Sequence, residues 1–86
     1  MTETLNKESA NKFTALAKKH ADFTLDMLTK IIYAKGLCEF RSSANLRKAI
    51  DQGRFKKSWV LAIASAAGKT NASVAQVLKK FLEDNE

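Results

Sequence analysis

The 86-residue chain contains no proline and only three glycines, and this lack of helix-breaking residues is its strongest constraint. Ala, Leu and Lys are abundant, and these residues lose little rotamer freedom in a helix. Each glycine follows a stretch in which apolar residues recur every three or four positions, as on one face of a helix. Gly36, Gly53 and Gly68 therefore predict left-handed C-terminal caps that divide the chain into four helical segments.

The four segments predict one all-α domain over residues 1–86, a small bundle of four to five helices with a helix-turn-helix-like pair at its C-terminal end. The first segment, from about Asn6 to Lys35, is long for a globular helix. A break between His20 and Asp22 would make Asp22 the N-cap of a second helix. The expected N-caps of the later helices are Ser42 or Ser43, then Ser58, and finally Thr70 or Asn71.

The numbers of cysteine and histidine exclude several classes of protein. Cys38 is the only cysteine and cannot form an internal disulfide, and with the single histidine, His20, it cannot supply the ligands of a zinc site. Helical spacing brings no acid and base together, so we expect no catalytic residue, no metal and no cofactor. The polar N-terminus and the absence of a long apolar run predict a cytoplasmic protein that does not enter the membrane.

Positive charge is concentrated in the middle of the chain. The formal net charge is +6 and the pI is about 9.7. Residues 36–57 hold six cations and two carboxylates, whereas residues 58–86 carry no net charge. Because guanidinium and ammonium groups bind phosphate, nucleic acid is the expected partner. The cations of this segment that we expect to contact phosphate are Arg47, Lys48, Arg54, Lys56 and Lys57.

Two aromatic residues, Phe55 and Trp59, are interleaved with these cations. An exposed aromatic ring beside cations can stack on a base. A small core also needs large side chains, and the sequence favours Phe55 and Trp59 as buried anchors. Cys38, which is next to apolar residues, is likewise expected to be a small buried hydrophobe.

One motif points to a more specific function. Between positions 63 and 78 the chain has Ala64 in one helix, Gly68 at a turn, and Val74 and Val77 three positions apart in the next helix. A small residue lets two helices cross closely, a turn glycine adopts positive φ, and the valines hold the second helix to the core. The stretch from Ile63 to Leu78 resembles the helix-turn-helix of bacterial DNA-binding regulators, particularly the lac-repressor-like family.

The resemblance implies a non-catalytic DNA-binding regulator that reads bases with the start of its second helix. It places Asn71, Ala72 and Gln76 at base edges, and Thr70 and Ser73 near the phosphates. Lys69 departs from the family pattern, which usually has an apolar residue after the turn glycine. In all, we expect Asn71, Ser73 and Gln76 to read bases. Lys69 and Thr70 are added to the residues that we expect to contact phosphate.

The partner and the assembly have two interpretations. One helix-turn-helix buries little surface, so a homodimer is expected, with the long first helix as the dimer element. The basic face also fits a different class of protein, a small interaction module such as an inhibitor or adaptor that binds an acidic partner. The charge pattern does not separate these two functions.

Overall fold

Five helices make up most of the chain, and this confirms the predicted all-α fold. The computed structural model describes residues 4–84. The helices are α1 (Lys7–Ala21), α2 (Leu25–Ala34), α3 (Ser43–Asp51), α4 (Lys57–Gly68) and α5 (Ala72–Asp84). Two short strands, β1 (Thr4–Leu5) and β2 (Phe55–Lys56), pair antiparallel, with Thr4 opposite Lys56 and Leu5 opposite Phe55.

The long first segment is two helices because the backbone turns at Asp22. Asp22 has a left-handed conformation, with φ of 58°, and ends α1. Thr24 caps α2, since its hydroxyl oxygen accepts a hydrogen bond from the amide of Met27 at 3.3 Å. The predicted break is therefore confirmed, but the prediction that Asp22 is an N-cap is wrong.

The later helix starts follow the predicted caps in two of three cases. Ser42 caps α3 and Asn71 caps α5, each through a side-chain oxygen that accepts hydrogen bonds from amides two or three residues ahead. The prediction of a Ser58 cap is wrong. Lys56 is the N-cap of α4 and makes no side-chain capping bond, because the extended backbone of β2 runs directly into this helix.

An aromatic cluster lies at the centre of the core and joins distant parts of the chain. The ring of Phe13 on α1 lies 5.8 Å from that of Phe55 and 5.4 Å from that of Phe81, measured between centroids. Trp59 extends the cluster from α4, with its ring 5.1 Å from that of Phe55. Phe55 is fully buried and Trp59 is 3% exposed, so both are core anchors, as the sequence favoured.

The apolar face of α1 packs into this core. Its buried residues, Ala10, Phe13 and Ala17, face inward, and the exposed residues of the helix are polar or charged apart from Ala15. The exposed surface of α1 is therefore mostly polar, and the exposed large apolar residues of the predicted first segment, Met27 and Tyr33, lie on α2. None of the helices within residues 4–84 has the length and apolar content needed to cross a bilayer.

Candidate nucleic-acid interface

Helices α4 and α5 pack together more extensively than any other two elements, and only Lys69, Thr70 and Asn71 join them. Gly68 ends α4, where a Cβ would lie 3.1 Å from the Cβ of Ala75 on α5. The predicted positive φ, and with it the left-handed cap at this position, is wrong, because only Gly36 and Gly53 among the glycines have positive φ. Gly68 is needed instead because α5 approaches the end of α4 closely.

The inward face of α5 differs from the one that the motif predicts. Its buried residues are Ala75, Leu78 and Phe81, and Val74 is partly buried. The prediction that Val77 holds the helix to the core is wrong, because its side chain is 38% exposed. Leu78 takes that role, since it lies three residues after Ala75 and before Phe81 on the same helical face.

The outward face of α5 carries two of the three predicted base-reading residues. Ser73, Gln76 and Lys80 are all exposed, and their spacing of three and four residues places them on one side of the helix. Asn71 is also exposed, but its side-chain oxygen accepts from the amides of Ser73 at 3.0 Å and Val74 at 3.4 Å. Only its NH₂ group is left for another partner.

The turn between α4 and α5 is polar. Lys69, the departure from the family pattern, is exposed, so its charge is not desolvated. The hydroxyl of Thr70 donates to the carbonyl of Ala67 at 3.1 Å, and its hydrogen is therefore already engaged. Lys69 is the residue of this turn whose side chain is best placed to meet a phosphate.

The predicted phosphate-binding residues do not form one surface. Lys48, Arg54 and Lys56 line a groove of about 700 Å³, which we call the basic groove. Lys69 and Thr70 lie beyond the other end of α4 from Lys56, and a helix of 12 residues is about 18 Å long. Lys69 therefore lies apart from the three cations of the basic groove.

Arg47 and Lys57 lie outside the lining of the basic groove. The guanidinium of Arg47 donates to the side-chain oxygen of Asn11 at 2.9 Å and lies 4.0 Å from the carboxylate of Asp51. This bond ties α3 to α1, and Arg47 lines a separate depression there. Lys57 is partly buried at the first turn of α4 and has an interaction of its own.

Two helix ends shape the basic groove. After α2, Gly36 adopts φ of 72°, and the amide of Leu37 donates to the carbonyl of Ile32 at 3.0 Å. After α3, Gly53 adopts φ of 68°, and the amide of Arg54 donates to the carbonyl of Ala49 at 2.8 Å. Both are Schellman caps, as the glycines predicted, and they redirect the chain so that residues 36–40, Arg54 and Lys56 border the same groove.

Side-chain hydrogen bonds hold the segment from Gly36 to Arg41 in place. The indole nitrogen of Trp59 donates to the carbonyl of Leu37 at 3.1 Å, and the thiol of Cys38 donates to the carbonyl of Phe40 at 3.4 Å. Cys38 is partly buried, and this burial raises the pKa of its thiol, although a backbone hydrogen bond with Phe40 acts in the opposite direction. The thiol is therefore a neutral donor at pH 7.

The charges of the basic groove are unbalanced. Lys48, Arg54 and Lys56 are exposed, and none of them forms an ion pair with a carboxylate of residues 4–84. Glu39 is the single carboxylate of the lining. The groove therefore carries an excess of positive charge that a bound anion can neutralise.

Sequence reasoning did not identify three residues of the groove, Glu39, Phe40 and Asn45. The available signal was the alternation of Phe40 with charged neighbours, which is the same interleaving that singled out Phe55 and Trp59. Phe40 is half-buried, whereas Phe55 and Trp59 are buried. Comparison of the chain with protein-family models, with curated proteins and with solved structures found no match.

Proposed function

We propose that this chain binds nucleic acid and catalyses no reaction. The observation that carries the proposal is the basic groove, where Lys48, Arg54 and Lys56 surround one concave surface without carboxylate partners among residues 4–84. Cations brought together in this way attract phosphates, and binding is favoured because counterions leave the nucleic acid. The groove thus supplies general affinity for the phosphate backbone.

The α4–α5 pair supports a finer version of this proposal. Ser73 and Gln76 project from one exposed face of α5, and Lys69 is exposed at the turn before it. In duplex DNA this face would read base edges while Lys69 meets a phosphate, as in a regulator of transcription. Nucleic acid as the partner also agrees with the expected cytoplasmic location.

A homodimer on two half-sites belongs to the same version. Because the exposed residues of α1 are mostly polar or charged, the part of the predicted first segment that suits a dimer contact is α2. Two large apolar side chains on α2, Met27 at 42% and Tyr33 at 36%, are exposed and available for such a contact.

The salt dependence of binding tests the proposal. The affinity for random-sequence duplex DNA is measured over a range of salt concentrations, for the unchanged chain and for Lys48→Gln combined with Arg54→Gln. The two substitutions should lower the slope of log K against log salt by about 2, since each phosphate contact contributes about 0.9.

The matched control combines Lys19→Gln with Lys30→Gln, two exposed cations on α1 and α2. It changes the net charge by the same amount and should leave most of the slope intact. Equal loss in both variants would mean that net charge alone, and not the groove, drives binding. A chain that binds neither duplex nor single-stranded nucleic acid at low salt would instead be the interaction module that binds an acidic protein.

A further inference from the structure

We infer that the basic groove takes one unpaired base of single-stranded nucleic acid, with the neighbouring phosphates held by the groove's cations. This inference rests on the proposed function and specifies the form of nucleic acid that the groove accepts. Its volume of about 700 Å³ lies within the range of about 300–1,000 Å³ that is typical of sites enclosing a small ligand. A duplex covers the faces of its bases by stacking, so only an unpaired base can enter such a site face first.

Phe40 supplies the stacking surface. Phe40 is half-buried and lines the groove, and the ring of Trp59 packs nearly perpendicular to its ring, with the centroids 5.9 Å apart and an interplanar angle of 85°. Trp59 itself is 3% exposed and serves as the buried support. Stacking on an aromatic side chain beside cations is the usual way in which proteins hold single strands.

The polar groups of the groove come from two elements. Lys48 lies on α3, three residues after Asn45 and therefore on the same face of that helix. Arg54 and Lys56 lie on the segment that leads from α3 into α4. Cations on both elements allow the phosphates on either side of the base to be contacted, while the amide of Asn45 is available for the base edge.

The segment that carries Phe40 is already ordered. The indole of Trp59 donates a hydrogen bond to the carbonyl of Leu37, and the thiol of Cys38 donates one to the carbonyl of Phe40. The guanidinium of Arg41 donates to the hydroxyl of Tyr33 at 2.7 Å and lies over its ring. Less conformational entropy is lost when a ligand binds to a surface that is already fixed. These contacts preorganise this side of the groove for a ligand.

Glu39 allows a test in which a substitution should increase the affinity for single-stranded nucleic acid. It is exposed and lines the groove, where its carboxylate repels phosphate. Glu39→Gln should therefore tighten binding of a single strand about threefold. The control Asp26→Asn removes one exposed carboxylate from α2, away from the groove lining, and should leave the affinity unchanged.

The main experiment titrates the full chain with an eight-residue oligothymidylate and with a blunt-ended duplex that has no unpaired bases, compared at equal phosphate concentration. Trp59 is the single tryptophan of the sequence, so its fluorescence reports directly on the groove. We expect the single strand to change this fluorescence and to bind at least about tenfold more tightly than the duplex. Phe40→Leu, which keeps an apolar side chain but removes the ring, should abolish most of that preference.

Small probes separate a nucleotide site from a simple anion site. Thymidine monophosphate should displace the oligothymidylate, and inorganic phosphate at the same concentration should not. Displacement by phosphate alone to the same extent would overturn the inference. An equal change in Trp59 fluorescence with a polyglutamate peptide would also overturn it, in favour of an acidic protein partner.

The failures of the two proposals are distinguishable. If duplex and single strand bind equally, with a steep salt slope and no change in Trp59 fluorescence, the unpaired-base inference is wrong and nucleic-acid binding stands. If neither binds, nucleic-acid binding itself is wrong. Should Phe40→Leu fail to fold, the effect of Glu39→Gln decides, because an unchanged affinity in that variant contradicts a ligand phosphate near Glu39.

Discussion

At the scale of single residues, Gly68 shows that a glycine at a helix end can be required for two different reasons. Gly36 and Gly53 have positive φ, whereas a Cβ at Gly68 would make a tight contact of 3.1 Å with the Cβ of Ala75. Gly68→Val should lower the free energy of unfolding by about 2 kcal/mol through overpacking. Urea unfolding measures this change.

Ala75 provides the matched test of this explanation. In a chain that carries both Gly68→Val and Ala75→Gly, the loss should be smaller than the sum of the two single losses, since the colliding Cβ is gone. Gly53→Ala is the control for backbone conformation. The φ of 68° strains the backbone of any residue with a side chain, while no atom lies within 4 Å of a Cβ at this position. Strictly additive losses at positions 68 and 75 would contradict close approach as the reason for Gly68.

A second prediction at this scale concerns the Cys38 thiol. Because burial raises its pKa above the usual value of 9.0, the folded chain binds the proton more tightly than the unfolded chain. The corresponding stability is fully present below the unfolded pKa and is lost as pH rises through the folded pKa. As the pH rises above about 9, the unchanged chain should therefore lose more stability than Cys38→Ala. Iodoacetamide should also react with Cys38 more slowly in the folded chain than in urea, whereas equal rates would contradict burial of the thiol.

At the scale of elements, α5 contains two residues with different expected roles, the N-cap Asn71 before its first turn and the predicted base-reading residue Gln76. Asn71→Ala should cost about 1 kcal/mol of stability because two amides of the first turn lose their acceptor, and Asn71→Asp should restore most of it.

Gln76 is exposed in the middle of the helix, so Gln76→Ala should leave stability unchanged. If α5 reads duplex DNA, Gln76→Ala changes sequence preference in a selection from random duplexes. Unaltered preference would show that α5 reads no bases.

The same scale shows what sequence reasoning can and cannot reach. The helices were predictable because each carries an apolar period of three to four residues and most begin at a residue that can cap. The strand pair was not, because two residues are too short to show a period of two. The groove was only half predictable. Its cations lie within nine positions of each other in the sequence, but Phe40 joins them through two helix ends whose directions depend on the packing of the whole chain.

At the scale of the whole molecule, the aromatic cluster leads us to expect that the described helices unfold together. Phe13, Phe55, Trp59 and Phe81 connect α1, β2, α4 and α5 through ring contacts. Unfolding in urea should therefore give coincident transitions in helical circular dichroism and in Trp59 fluorescence. Phe13→Leu should shift both together, whereas separate midpoints would mean that the helices unfold independently.

The pairing of β1 with β2 has a practical consequence for anyone who produces this protein. Thr4 lies opposite Lys56, and Lys56 lines the basic groove. A histidine tag at the N-terminus would be attached only three residues before Thr4 and would bring titratable imidazoles close to the proposed binding surface. Affinity measured on such a fusion would depend on the tag, so these experiments call for a tag that has been cleaved or is attached after α5.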